Sequence, residues 1–256
     1  MRAVESTLAD MAQHVFPALC MELDASSLSV MSCDPHCDEK QRAQNKALMR
    51  ALLAQLKTQY PEAGRGYWHT RLWSLIFWQP VYFAVIAVET IKQKPRLSAL
   101  RLHVKPTSIW GYHLESHDKQ MSFDSDAVTH INEGKRQLTE QMALQLKEVL
   151  AALFEQFLEV SSFSKKKSKA LVSMNIVLVL RALAEKALIT QRYDALQSRA
   201  EQWQFALGLS EFSGFVPSSH GLPVIKTRAC CMHYRIDPND RCSYCPKSRR
   251  NNLPLN

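Results

Sequence analysis

Four of the seven cysteines in this 256-residue chain fall within sixteen positions: the adjacent pair Cys230-Cys231, ten residues, then Cys242-Ser243-Tyr244-Cys245. Thiolates are soft ligands, and four of them close together select zinc or an iron–sulfur cluster. The two have different consequences. Zinc closed by four thiolates is structural and carries no electrons. An iron–sulfur cluster makes the chain an electron-transfer protein.

Structural zinc sites commonly use two separated C-x2–4-C hooks. This chain has one, Cys242 with Cys245. Side chains of neighbouring residues point in opposite directions along extended backbone, so Cys230 and Cys231 reach one small ion only if the chain bends sharply. A two-iron cluster is larger and takes two thiolates on each iron. Spacing alone leaves iron–sulfur, zinc and disulfide pairing open.

The run Arg228-Ala-Cys230-Cys231-Met-His-Tyr234-Arg235, followed by Cys242-Ser-Tyr-Cys245, resembles the C-terminal signature of the ferric-siderophore reductases, the FhuF-like family. That family ends in Cys-Cys-x10-Cys-x2-Cys, often with a basic residue before the pair and Tyr-Arg after it. All four cysteine positions match, over about residues 226–246. The resemblance implies a [2Fe–2S] cluster on Cys230, Cys231, Cys242 and Cys245. It also implies one-electron reduction of ferric siderophores, of hydroxamate type by family likeness, in the cytoplasm. Siderophore oxygens are hard ligands that hold ferric iron tightly and ferrous iron poorly, so one electron releases the metal. Arg228, Tyr234 and Arg235 are the expected contacts to cluster sulfurs or to the incoming chelate.

Other classes find less support. Only 7 glycines occur, and neither G-x-G-x-x-G nor G-x-x-x-x-G-K-[ST] is present, so no nucleotide site of the usual kind is expected. Electrons must then come from a separate donor, ferredoxin-like or a low-molecular-weight thiol. No G-x-S-x-G marks a hydrolase. The net charge of +8 and pI near 9.2 admit an acidic partner. Residues 226–250 carry seven basic side chains against Asp237 and Asp240, a local excess that suits four ionised thiolates. The competing reading is a zinc-stabilised nucleic-acid-binding module on the same cysteines and basic tail, against which no nucleic-acid-binding motif stands upstream.

These ligands need a scaffold, and the apolar pattern supplies one. Helices are expected over 3–20, 38–59, 68–92, 126–157, 170–188 and 192–208. Gly64-Arg65-Gly66 reads as a turn, Pro80 as a kink and Pro95 as a stop. Alternation over Leu100–Val104 and Ile109–Leu114, about a Lys105–Ser108 turn, predicts an antiparallel hairpin, with a third strand at Met121 and Phe123. Lys165-Lys166-Lys167 reads as a solvated connection or helix start, and 213–223 as a linker. The expected fold is α+β, predominantly α. Its expected divisions are 1–125 (helices and small sheet), 126–220 (helical bundle) and 221–256 (cluster-binding segment). Leu72–Val88 reads as a buried helix, not a membrane span. The first fifteen residues lack a secretory-signal pattern, so a cytoplasmic protein is expected.

Cys33 and Cys37 read as ordinary loop cysteines and Cys20 as a packed one. His103, His113, His117 and His130 lie around the sheet, where a chelate pocket is the less favoured reading. His220 and His233 flank the thiols without being required as ligands.

Overall fold

The structure, a computed structural model, describes residues 29–114, 131–209, 213–219, 221–239 and 241–247. The expected helix at 3–20, Cys20, the strand at Met121 and Phe123, His117, His130 and His220 lie outside the described residues.

Helix α1 (Glu39–Gln59) begins where the Asp38 side chain accepts from the Gln41 N–H at 2.7 Å, an N-cap. It buries Met49, Leu52, Leu53 and Leu56. Helix α2 (Gly64–Ile86) starts four residues before the expected position. Gly64, at φ +74°, joins the short turn Pro61–Ala63 directly to it, a conformation that favours glycine. Helical backbone continues on both sides of Pro80. Sixteen of its 23 residues are buried, as befits a helix apolar on all sides. Residues 61–91 are apolar and long enough to cross a membrane, but 78% of their most apolar window is buried inside the fold, as in the core helix of a soluble protein. The helix widens into a π turn at Ala87–Ile91 and stops at left-handed Lys92, not at Pro95.

Three more helices follow: α3 (Ile131–Leu158), α4 (Lys165–Glu185) and α5 (Tyr193–Ala206). Ser164 caps α4, and left-handed Gly208 follows α5. Helix α2 packs on α1, α3 and α4, and α5 packs on α3 and α4. Trp73 sits against Phe154 and Phe157, with ring centroids 4.9 and 5.2 Å away. Glu89, on the π turn, is buried and bonds Lys135 at 2.7 Å, the Arg199 guanidinium, and Trp203 Nε1 at 2.9 Å. One carboxylate thus ties the end of α2 to α3 and α5.

The predicted hairpin is present as β2 (Leu100–Lys105) and β3 (Ser108–Leu114). Its described neighbour is β1 (Ser29–Ser32), in a stretch that reads as loop from sequence. Four residues are too few to show a period of two. Pairing with β2, and the Ser32 N–H bond to buried Asn45 at 3.0 Å, hold β1 extended. The expected linker at 213–223 contains a strand. β4 (Ser213–Val216) pairs antiparallel with β5 (Val224–Thr227). Among the described residues, five α-helices and two small antiparallel sheets make this a predominantly α, α+β fold.

Candidate metal centre

The β4–β5 hairpin carries the cysteines. Side chains of α4 and α5 hold it at three points. Gln197 accepts from the Phe215 N–H at 2.8 Å, Gln204 donates to the Ser213 carbonyl at 2.8 Å, and Arg181 donates to the Pro223 carbonyl at 3.1 Å. At the end of β5 the Thr227 hydroxyl bonds Ser213 Oγ at 2.7 Å and accepts from the Ala229 N–H at 2.9 Å. Cys230 is the next residue.

The sharp bend that an adjacent pair requires follows at once. Met232 adopts a left-handed φ of 63°, and His233–Arg235 form a single 3-10 turn. Backbone donors face the sulfurs: the Met232 N–H bonds Cys230 and the His233 N–H bonds Cys231. The second half is a tight turn, with the Cys245 N–H donating to the Cys242 carbonyl at 2.9 Å. Cys245 is buried, and the other three are partly exposed.

The two halves meet. The Cys242 thiol hydrogen bonds to Cys231, which lowers the Cys231 pKa and raises that of Cys242. Cys245 also bonds Cys242, and Cys230 lies within electrostatic reach of Cys231 and Cys245. Burial, then Cys242 and Cys231, push the Tyr244 hydroxyl up to about 12. Among the described residues no three Cys, His, Asp or Glu side chains already enclose one ion-sized position. The donor chemistry fits a thiolate-bound cluster: four soft ligands gathered at a partly exposed surface, with N–H groups directed at two of the sulfurs.

The loop docks on the first turns of α2 and α4. Met232 Cε lies 3.0 Å from where a Cβ on Gly66 would stand, so a side chain there would have to shift the end of Met232. The Lys167 ammonium donates to Thr70 Oγ1 at 2.6 Å and to Met232 Sδ at 3.1 Å. Burial lowers its pKa, while Cys230 opposes that shift and Arg235 adds to it. A half-buried cation therefore sits within electrostatic reach of Cys230.

The expected neighbours are placed as follows. Arg235 reaches toward the Ala63 carbonyl at 3.5 Å and lies beside Gly64. Tyr234 is half-buried on the 3-10 turn, and Arg228 is exposed before the pair. His233 is exposed and close enough to favour ionised Cys231. Lys167, Met232, Thr70 and Tyr244 are neighbours that sequence reasoning did not single out. For Lys167, nothing in a run of three lysines marks which one turns inward.

The remaining candidates have other surroundings. Cys33 is buried, which pushes its thiol up to about 12, so it is a protonated core group. Cys37 lies in the turn closed by its N–H to the Asp34 carbonyl. His103 and His113 bond each other across the sheet at 2.7 Å. No family model matches the chain, and no solved structure matches it significantly.

Proposed function

We propose that this protein is a cytoplasmic one-electron reductase of ferric siderophores, using a [2Fe–2S] cluster held by Cys230, Cys231, Cys242 and Cys245. The observation that carries this reading is the meeting of the adjacent pair with the Cys242–Cys245 turn at a partly exposed surface. When bound, such a cluster supplies electrons singly, which suits the ferric-to-ferrous step.

The protein's own residues have defined tasks. The Met232 and His233 N–H groups stabilise thiolate charge at Cys230 and Cys231. Lys167 and Arg235 supply positive charge nearby, which favours the more negative, reduced form. Tyr244, partly buried against the core, anchors the second turn. Partial exposure lets a bulky chelate approach without entering the core. The electron comes from a separate donor, ferredoxin-like or a small thiol.

Anaerobically purified protein should be red-brown and hold iron and acid-labile sulfide in near-equal amounts. Once reduced, it should be reoxidised by a ferric siderophore, with a ferrous trap collecting the metal. Colourless protein with one zinc and no sulfide would sink the proposal and favour a zinc-stabilised nucleic-acid module.

A further inference from the structure

Met232, which directly follows the Cys230-Cys231 pair, has a left-handed backbone at φ 63°. That conformation presses Cβ toward the next carbonyl and is adopted routinely only by glycine. A side chain stays in it where the surroundings hold it there. Met232 has such surroundings. Its ε-methyl lies 3.0 Å, and its sulfur 3.4 Å, from where a Cβ on Gly66 would stand. Its sulfur also lies 3.1 Å from the Lys167 ammonium and 3.5 Å from Thr70 Oγ1.

The Thr70 hydroxyl carries one hydrogen, which goes to the Gly66 carbonyl at 2.6 Å on its own helix. Thr70 Oγ1 in turn accepts from Lys167 at 2.6 Å. The contact of Thr70 with the sulfur is therefore packing, and Lys167 is the donor to the sulfur.

Lys167 is caged by neutral groups. They are the Thr70 hydroxyl, the Met232 thioether and the Phe163 ring, whose centroid is 5.3 Å from the ammonium. Among the described residues no carboxylate pairs with it. A half-buried cation without a counter-ion is costly, and the group whose negative charge favours the ammonium is Cys230. Met232 closes this cage from the cysteine loop, so docking of the loop and confinement of the charge occur together.

We infer that Met232 is a positioning residue for the thiols. Its side chain, seated between Gly66, Thr70 and Lys167, holds the left-handed turn that aims Cys230 and Cys231 at one cofactor. It also keeps the Lys167 charge beside Cys230. This rests on the reading that the four thiols bind a cofactor, and it assigns the residue that fixes the adjacent pair. A glycine at 232 would adopt the turn more readily but would leave the space between Gly66, Thr70 and Lys167 empty.

Full-length purified protein carrying Met232→Ala, Met232→Gly or Met232→Leu is compared with wild type in two ways. One is the decay of visible absorbance under an iron chelator. The other is acetylation by an amine-reactive reagent, read lysine by lysine by mass spectrometry. Lys165 and Lys166 are exposed and serve as controls for half-buried Lys167. In wild type Lys167 should label about fivefold more slowly than either, as for a group protected by a docked segment. Met232→Ala and Met232→Gly should each lose the absorbance about fivefold faster than wild type. Both should bring Lys167 to the labelling rate of its neighbours, with melting temperatures lower by only a few degrees. Leucine keeps the volume without the acceptor, so Met232→Leu should hold the absorbance to within about twofold of wild type. Its reduction potential should fall, because the ammonium is no longer held beside Cys230. Wild-type cofactor retention or wild-type Lys167 protection in Met232→Gly overturns the inference, since the backbone turn alone would then suffice. If the glycine variant does not fold, either result in Met232→Ala overturns it. Labelling needs no cofactor, so a protein that holds zinc and no labile sulfide removes the reductase reading and leaves this test in force.

Discussion

At the scale of single residues, what separates the cysteines is their surroundings. Cys33 is buried in the core and stays protonated, whereas Cys230 and Cys231 receive backbone N–H bonds and face another thiol pair. Serine at any of 230, 231, 242 or 245 should abolish or strongly alter the visible absorbance of the purified protein, while Cys33→Ser and Cys37→Ser should leave its shape unchanged. Loss of the chromophore in Cys33→Ser but not in Cys230→Ser would refute the ligand set. Lys167 has a different signature. Its ammonium lies near Cys230, and a unit charge about 8–15 Å away at an effective dielectric near 20 is worth about 1–2 kcal/mol. For a one-electron couple this is roughly 40–90 mV. Lys167→Met should lower the reduction potential by that order with the cluster still assembled. A redox titration showing no shift would mean that solvent screens this charge completely.

At the scale of elements, the β4–β5 hairpin determines where the cysteine pair begins. Thr227 is buried, and its hydroxyl both joins the two strands and satisfies the Ala229 N–H. Thr227→Val keeps the shape but strands that N–H, at a cost of about 1–3 kcal/mol. The loss falls next to Cys230, so cofactor retention should suffer more than global stability. Absorbance under an iron chelator should decay several-fold faster than in wild type, with a drop in melting temperature of only a few degrees. Equal decay rates would show that the hairpin does not hold the pair. Sequence reading found every described helix and the β2–β3 hairpin because their apolar periods run long enough to register. It missed β1, β4 and β5, which are four residues each and rest on partners outside their own stretch: β1 on Asn45 and β2, β4 on Gln197 and Gln204, and β5 on β4.

At the scale of the whole molecule, Glu89 links three helices through Lys135, Arg199 and Trp203. Burial would push its carboxyl up, but Arg199 and then Lys135 hold it below the ordinary value. A depressed folded-state pKa contributes stability that is present above the unfolded carboxylate range, near 4.3, and is lost as pH falls through the folded value. Glu89→Ala should therefore cost about 3–5 kcal/mol at neutral pH, because it leaves buried cations unpaired. The difference from wild type should narrow below about pH 4. Denaturant melts at pH 7 and pH 3.5 would check this, and an equal difference at both values would remove Glu89 from the pH-dependent stability.

The chain's sequence alone determined the helical class and singled out four closely spaced cysteines. Cysteine spacing is local, and an apolar stripe such as Met142–Leu146–Val149–Leu153–Phe157 records its own burial. Tertiary structure decided what surrounds the thiols. Arg235 sits four residues from Cys231 in sequence, but its guanidinium reaches back to Ala63 at the start of α2. Lys167 is 63 residues from Cys230 and arrives beside it because α4 and α2 begin side by side, with Thr70 and Met232 holding the ammonium. The neighbours of a charge are set by which helix ends pack together, and that depends on side-chain fit across the core, which no stretch of sequence records by itself.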